Sequence, residues 1–223
     1  LRDTQGRASM SRRASRAHWR TRGGGDSYSR QAAARGLGSR AWFKLESLDA
    51  RFKLVRPGRK VLELGAAPGG WTRYLAAKKA HVFACDQRHM EVPAKVAFLQ
   101  TDVGGEAFRD WSMRHAPFGL IVSDMAPDIS GIDVRDMAAA EALVDLAFDL
   151  ADALLDAGGD LVVKLFQGDP VTLFGQRAGA GFSTVKIAKP RASRSESSEM
   201  YGVALNKRKP LTEPLVRLET GSQ

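Results

Sequence analysis

The stretch Val61-Leu62-Glu63-Leu64-Gly65-Ala66-Ala67-Pro68-Gly69-Gly70-Trp71 limits the possible folds more than any other. A short apolar run carrying one acid breaks into a glycine-rich turn. Trp71-Thr72-Arg73-Tyr74-Leu75-Ala76 then opens a helical pattern. A strand that enters a helix through such a turn is the first unit of a doubly wound α/β sheet. In that architecture ligands bind in the crevice beyond the carboxyl ends of the strands. Gly65, Gly69 and Gly70 let the backbone approach a ligand closely. The spacing is not the GxGxxG of a dinucleotide site, and no Lys-Ser/Thr pair follows as in a phosphate-binding loop.

The rest of the chain agrees with this frame. Apolar runs predict strands at Val61–Leu64, His81–Cys85, Val96–Leu99, Leu120–Val122, Leu161–Phe166, Thr184–Ile187 and Met200–Leu205. Between them, helical spacing predicts helices near Phe108–Met113, Val134–Leu155 and Val171–Arg177, with Gly158-Gly159 as the stop of the long one. Upstream, Tyr28 to Gly36 reads as a helix. A second begins near Ser39, its N-cap, with Ala41, Leu45, Leu48 and Phe52 on one face. Strands alternating with helices imply an α/β fold with a mostly parallel sheet.

Three acids fall at or just past strand ends: Asp86, Asp102 and Asp124. At those places a carboxylate can accept hydrogen bonds from ribose hydroxyls, meet an adenine amino group, or face a cation. Together with the loop they suit a nucleoside with a small charged tail and no pyrophosphate, and S-adenosylmethionine fits that description. Lys164 interrupts Leu161-Val162-Val163 and Leu165-Phe166 in a strand that should be buried. An unpaired charge is costly there, so this lysine must find a partner or lose its proton. Lys44 alone reads as an ordinary amphipathic lysine and Glu199 as a surface glutamate.

Charge separates the chain into three zones. Residues 1–40 hold ten arginines against Asp3 and Asp26, a balance of +8; residues 41–185 total −3; residues 186–223 total +4. Basic ends around a slightly acidic middle suit a polyanion gripped by tails while chemistry proceeds in the core. Residues 1–27 are expected to be a basic disordered arm, 28–210 a single catalytic domain and 211–223 a tail. Arg30, Arg35, Arg40, Lys189, Arg191 and Arg194 are the candidate phosphate contacts. No run reaches the roughly 20 apolar residues of a membrane span, and no apolar leader is expected. Cys85 is the sole cysteine and sits in an apolar run, and the four histidines lack metal-ligand spacing. A cytoplasmic, metal-free monomer is expected.

Five segments in order carry a resemblance: Ser39-Arg40-Ala41-Trp42-Phe43-Lys44-Leu45, Leu64 to Trp71, Ser123-Asp124-Met125-Ala126-Pro127, Val162 to Gly168, and Glu199-Met200-Tyr201. Over residues 28–210 the chain closely resembles the FtsJ/RrmJ family of ribosomal-RNA 2′-O-ribose methyltransferases. The resemblance implies a Rossmann-like methyltransferase fold of seven strands, the last antiparallel. It implies a catalytic set Lys44, Asp124, Lys164 and Glu199, and S-adenosylmethionine contacts at Gly65, Gly69, Trp71, Asp86, Asp102 and Asp124. It also implies an RNA partner, a uridine in the A-loop of 23S rRNA carried in the assembled 50S particle. Glu63 stands where Asp is common and Asp128 where Asn is usual, which bears on RNA specificity more than on the reaction. The alternatives are another RNA, such as tRNA, as substrate, or a ribosome-assembly factor without turnover.

Overall fold

The computed structural model describes residues 27–128, 130–190, 192–193 and 199–208. The chain order is α1 (Ser27–Ala34), α2 (Ala41–Phe52), β1 (Lys60–Leu64), α3 (Gly70–Ala77), β2 (His81–Asp86), β3 (Ala97–Gln100) and α4 (Glu106–His115). There follow β4 (Phe118–Ser123), α5 (Asp133–Leu154), β5 (Leu155–Phe166), α6 (Asp169–Gly181), β6 (Phe182–Ala188) and β7 (Glu199–Lys207). The seven strands form one sheet in the order β3-β2-β1-β4-β5-β7-β6. Pairings from β3 through β5 are parallel, whereas β7 runs antiparallel to both β5 and β6. The fold is thus the mostly parallel α/β sheet that the sequence predicts, with seven strands and an antiparallel last strand as the resemblance implies.

Alternation along the central strands sorts side chains to two faces. Leu62, Leu64, Ile121, Leu161, Val163 and Leu165 pack under α4, α5 and α6, with Phe108, Phe148 and Phe174. Val61, Leu120, Val122 and Val162 pack under α2 and α3, with Leu45, Leu48, Trp71 and Tyr74. Burying strands on both faces explains why they read as continuous apolar runs rather than alternating ones. Cys85 is fully buried, and burial pushes its thiol up to about 12, which keeps it an inert core residue.

The sheet reverses its winding between β1 and β4, which pair directly. The crevice at their carboxyl ends is therefore where a ligand belongs. Gly65 leaves β1 with φ +74, and a Cβ there would lie 2.8 Å from the Met125 side chain just beyond β4. Any larger residue would push the two strand exits apart.

Two helix ends show details that the sequence reading does not give. The long helix ends at Leu154, one residue from the expected Leu155, but Gly158-Gly159 do not stop it: the glycines lie in the irregular start of β5, where its register against β4 shifts. The helix end is closed by a distant side chain. Lys207 of β7 donates to the carbonyls of Ala151, Asp152 and Leu155 at 2.6, 2.9 and 3.2 Å, so no glycine cap is needed. At α2, Arg40 is already helical and the Ser39 hydroxyl accepts from the Ala41 N–H at 3.2 Å. The regular helix starts two residues after the serine that caps it. Among the described residues no helix is long and apolar enough to cross a membrane.

Candidate active site

The glycine loop is held by the end of β2. The N–H groups of Gly65 and Ala66 both donate to the Cys85 carbonyl, at 3.0 and 3.1 Å, and Gly69 closes the turn onto Ala66 at 2.7 Å. Ala67 N–H donates to Asp86 Oδ2 at 2.8 Å, which fixes that carboxylate beneath the loop. Beside it opens a cavity of about 570 Å³, lined by Gly65, Ala67, Asp86, Asp102, Asp124 and Lys164. That size suits one small ligand. Met125 and Pro127, with Leu143 and Leu146 from α5, supply its apolar wall. A narrower recess adjoins it between Ala41, Glu63, Trp71 and Asp124.

The two lobes of this site hold the expected cofactor residues differently. Asp86, Asp102, Asp124 and Gly65 line the larger cavity. Asp102 is exposed, with its carboxylate accepting from Gly104 N–H at 2.9 Å. Trp71 is 2% exposed, its indole N–H committed to the Ala41 carbonyl at 2.8 Å, and it borders only the recess. Gly69 lines neither space and turns the loop with φ +95.

Helix α3 also positions α2, which carries Lys44. Besides the Trp71 bond, Tyr74 donates its hydroxyl to Asp49 at 2.7 Å, and the Trp42 and Tyr74 rings meet edge to face at 5.1 Å. The helices approach so closely at Gly70 that a Cβ there would lie 2.3 Å from the Ser39 hydroxyl. This packing aims Lys44 at the start of β7, where its Nζ lies 2.5 Å from Glu199 Oε1.

Lys164 shares its face of β5 with Val162, toward α2 and α3. Its Nζ lies 3.0 Å from Asp124 Oδ1 and donates to the Asp124 carbonyl at 2.9 Å. Two of its three donor positions are thus taken by one residue, and Lys164 also lines the cavity. The structure therefore brings all four residues of the expected catalytic set together as two ion pairs, Lys44 with Glu199 and Lys164 with Asp124.

Tyr201, to which the sequence reading assigns no role, joins the two pairs. It is fully buried and pairs with Lys164 across β5 and β7. Its hydroxyl lies 2.7 Å from Asp124 Oδ1 and 2.6 Å from Glu199 Oε1. One phenol proton can be donated to only one of them at a time. Burial and then the charges of Asp124 and Glu199 hold the Tyr201 hydroxyl well above its ordinary titration range, so it stays protonated. At Glu199 burial opposes ionisation, but the Lys44 charge and hydrogen bond, the Tyr201 bond and the Lys164 charge outweigh it. They hold the carboxyl below the usual range. Two lysines and two carboxylates balance, which is how a charged cluster survives so little exposed. The signal for Tyr201 was present: in a strand, residues two apart share a face, and Tyr201 follows Glu199 by two.

Of the candidate phosphate contacts, Arg30, Arg35 and Lys189 are exposed, and Arg35 stacks over Phe43 at 5.7 Å. Arg40 donates to the Ala192 carbonyl and so ties the start of α2 to the β6–β7 connection. Arg191 and Arg194 lie outside the described residues.

Comparison with known proteins gives the same frame. A protein of Plasmodium falciparum assigned as a ribosomal RNA methyltransferase is similar in structure with a TM-score of 0.67. It is 22% identical, and the match covers 76% of this chain and 97% of that one. A protein of Lactococcus lactis assigned as a hemolysin matches at TM-score 0.56 and 18% identity, over 76% of this chain and 88% of that one. At such identities these likenesses concern the fold. The family model of the FtsJ-like methyltransferases matches residues 37–207, a span that contains the glycine loop and all four residues of the ion-paired cluster. The chain belongs to the FtsJ-like methyltransferase family.

Proposed function

We propose that this protein transfers a methyl group from S-adenosylmethionine to a ribose 2′-hydroxyl of RNA, with a uridine in the A-loop of 23S rRNA, in the assembled 50S particle, as the target. The observation that carries the reading is the neutral chain Lys44–Glu199–Tyr201–Asp124–Lys164, which ends in the wall of the cavity at Asp124 and Lys164. The cavity suits a cationic nucleoside: Asp86, Asp102 and Asp124 supply carboxylates, and Leu143 and Leu146 an apolar wall. Asp86 would hold the ribose hydroxyls, Asp102 the adenine amino group and Asp124 the positive end, with Gly65, Gly69 and Trp71 shaping the loop around it. S-adenosylmethionine supplies an electrophilic methyl group on a sulfonium.

A ribose hydroxyl is a poor nucleophile until a base holds its proton in the transition state. Lys164 takes that role from its place in the cavity wall, either accepting the proton or steering the hydroxyl's lone pair. Asp124 keeps the lysine aimed there through its side chain and its main chain. Lys44 and Glu199 fix the opposite end of the cluster and orient the target ribose, so that positioning supplies much of the rate. Arg30, Arg35, Arg40 and Lys189 approach the RNA backbone from the α1–α2 side, where phosphate contacts set register rather than read sequence.

The test is methyl transfer from labelled S-adenosylmethionine to isolated large ribosomal subunits, tRNA and total RNA, followed by digestion to nucleosides. The reading requires label in a 2′-O-methyl nucleoside of large-subunit rRNA. Label in tRNA alone would keep the chemistry and overturn the target. Cofactor binding without label in any RNA would point to an assembly factor instead.

A further inference from the structure

The proposed ribose contact, Asp86, is already crowded. Its Oδ2 accepts from Ala67 N–H at 2.8 Å. Its Oδ1 accepts from the Arg88 backbone N–H at 2.8 Å and from Arg88 Nε at 3.3 Å. A carboxylate offers about four lone-pair sites, so three are in use, and a ribose diol that donates both hydroxyls to Asp86 needs two. The arithmetic leaves it one short.

Of the three present donors, two are backbone N–H groups that shape the loop and the turn after β2. The third is the guanidinium of Arg88, whose side chain is 71% exposed and whose contact is the longest. Arg88 also donates from Nη2 to the Ala67 carbonyl at 2.8 Å, so its side chain spans from the glycine loop to Asp86 along the cavity wall it helps to line. Nothing in the family resemblance or in the sequence patterning assigns it a role.

We propose that Arg88 is a positioning residue of the cofactor site: its guanidinium occupies a ribose-hydroxyl position on Asp86 in the free protein and must yield it when the nucleoside binds. The proposal rests on the cofactor reading above. Arg88 keeps Asp86 in place and paired between turnovers, and competition with it lowers affinity for the nucleoside, which favours product release. The exchange is easy because the arginine end of the pair is solvated and its contact with the buried carboxylate is long, so the guanidinium can swing into water.

The experiment is calorimetric titration of S-adenosylhomocysteine and its 2′,3′-dideoxy analogue into the wild-type protein, Arg88→Ala and Arg88→Lys. The lysine variant keeps the positive charge but loses the Nε donor. Both variants should bind S-adenosylhomocysteine about two- to five-fold more tightly, the range of a weak, long ion pair whose arginine end is solvated, and should show no gain for the dideoxy analogue, which has no hydroxyl to compete. Weaker binding in the variants would mean that Arg88 grips the ligand, and an equal gain for both ligands would mean a general charge effect. Either result overturns the proposal while leaving the cofactor reading in place. No binding of S-adenosylhomocysteine to the wild-type protein would overturn the cofactor reading and this proposal with it.

Discussion

Glu63 is 1% exposed and receives one side-chain hydrogen bond, from the Thr72 hydroxyl at 2.8 Å. Burial foremost, and the nearby charges of Asp124 and Asp86, push its carboxyl from 4.5 up to about 8, against the lowering effect of Thr72. Near neutral pH the folded protein therefore holds a proton that the unfolded chain releases. The sign follows: stability falls as pH rises between about 4.5 and 8, and by the upper end the difference is on the order of 4 to 5 kcal/mol. Glu63→Gln removes this dependence while keeping an acceptor for Thr72. In urea unfolding it should match the wild type near pH 5 and exceed it in stability at pH 8.5; a variant less stable at both pH values would contradict the assignment. At Tyr201, replacement by Phe keeps the ring against Trp71, at 5.5 Å, but removes the proton between Asp124 and Glu199. Turnover should drop about ten- to a hundred-fold, as expected for losing a hydrogen bond to a charged group, with affinity for S-adenosylhomocysteine unchanged. A variant with wild-type turnover would remove Tyr201 from the positioning network. Sequence marked Lys164 because a charge in an apolar strand demands a partner, but only the family resemblance set Asp124 beside it in one catalytic group. The ion pair of Lys44 with Glu199 spans 155 positions and became legible only through the family resemblance.

Elements were legible where local patterning governs them. The central strands were readable as apolar runs, because burial on both faces leaves no room for polar alternation, whereas β3 and β6 are only partly buried. What closes an element was not. Helix α5 stops at Leu154 because Lys207, more than fifty residues on, takes up its last carbonyls. A sequence window holds no trace of that contact. Strands β6 and β7 extend beyond their apolar centres for a similar reason: pairing continues through Phe182 with Lys207 at one end, and through Phe166 with Glu199 where β7 meets β5. The last pairing has a functional consequence, since it brings Glu199 to the end of β5 and Tyr201 opposite Lys164. Arg88 escaped notice because an arginine in a polar turn is unremarkable until its guanidinium is seen on Asp86.

At the scale of the molecule, the sheet order places the site. The reversal between β1 and β4 opens the crevice, the glycine loop forms one lip and the β4 exit with α5 the other. Helices α2 and α3 close the recess from the opposite face. The proposed division of labour follows: nucleoside binding is spread along the carboxyl ends of β1, β2, β3 and β4, whereas proton transfer is concentrated on β5 and β7. These functions should separate on mutation. The most direct measurement is a pair of assays on Lys164→Ala: single-turnover methyl transfer to large ribosomal subunits, and affinity for S-adenosylhomocysteine. The account predicts that transfer falls by at least about a thousand-fold, consistent with loss of a general base and its positioning, while affinity stays within about three-fold because Lys164 is a minor part of the cavity wall. Transfer near the wild-type rate in a folded Lys164→Ala protein would contradict the assignment of Lys164 as the base.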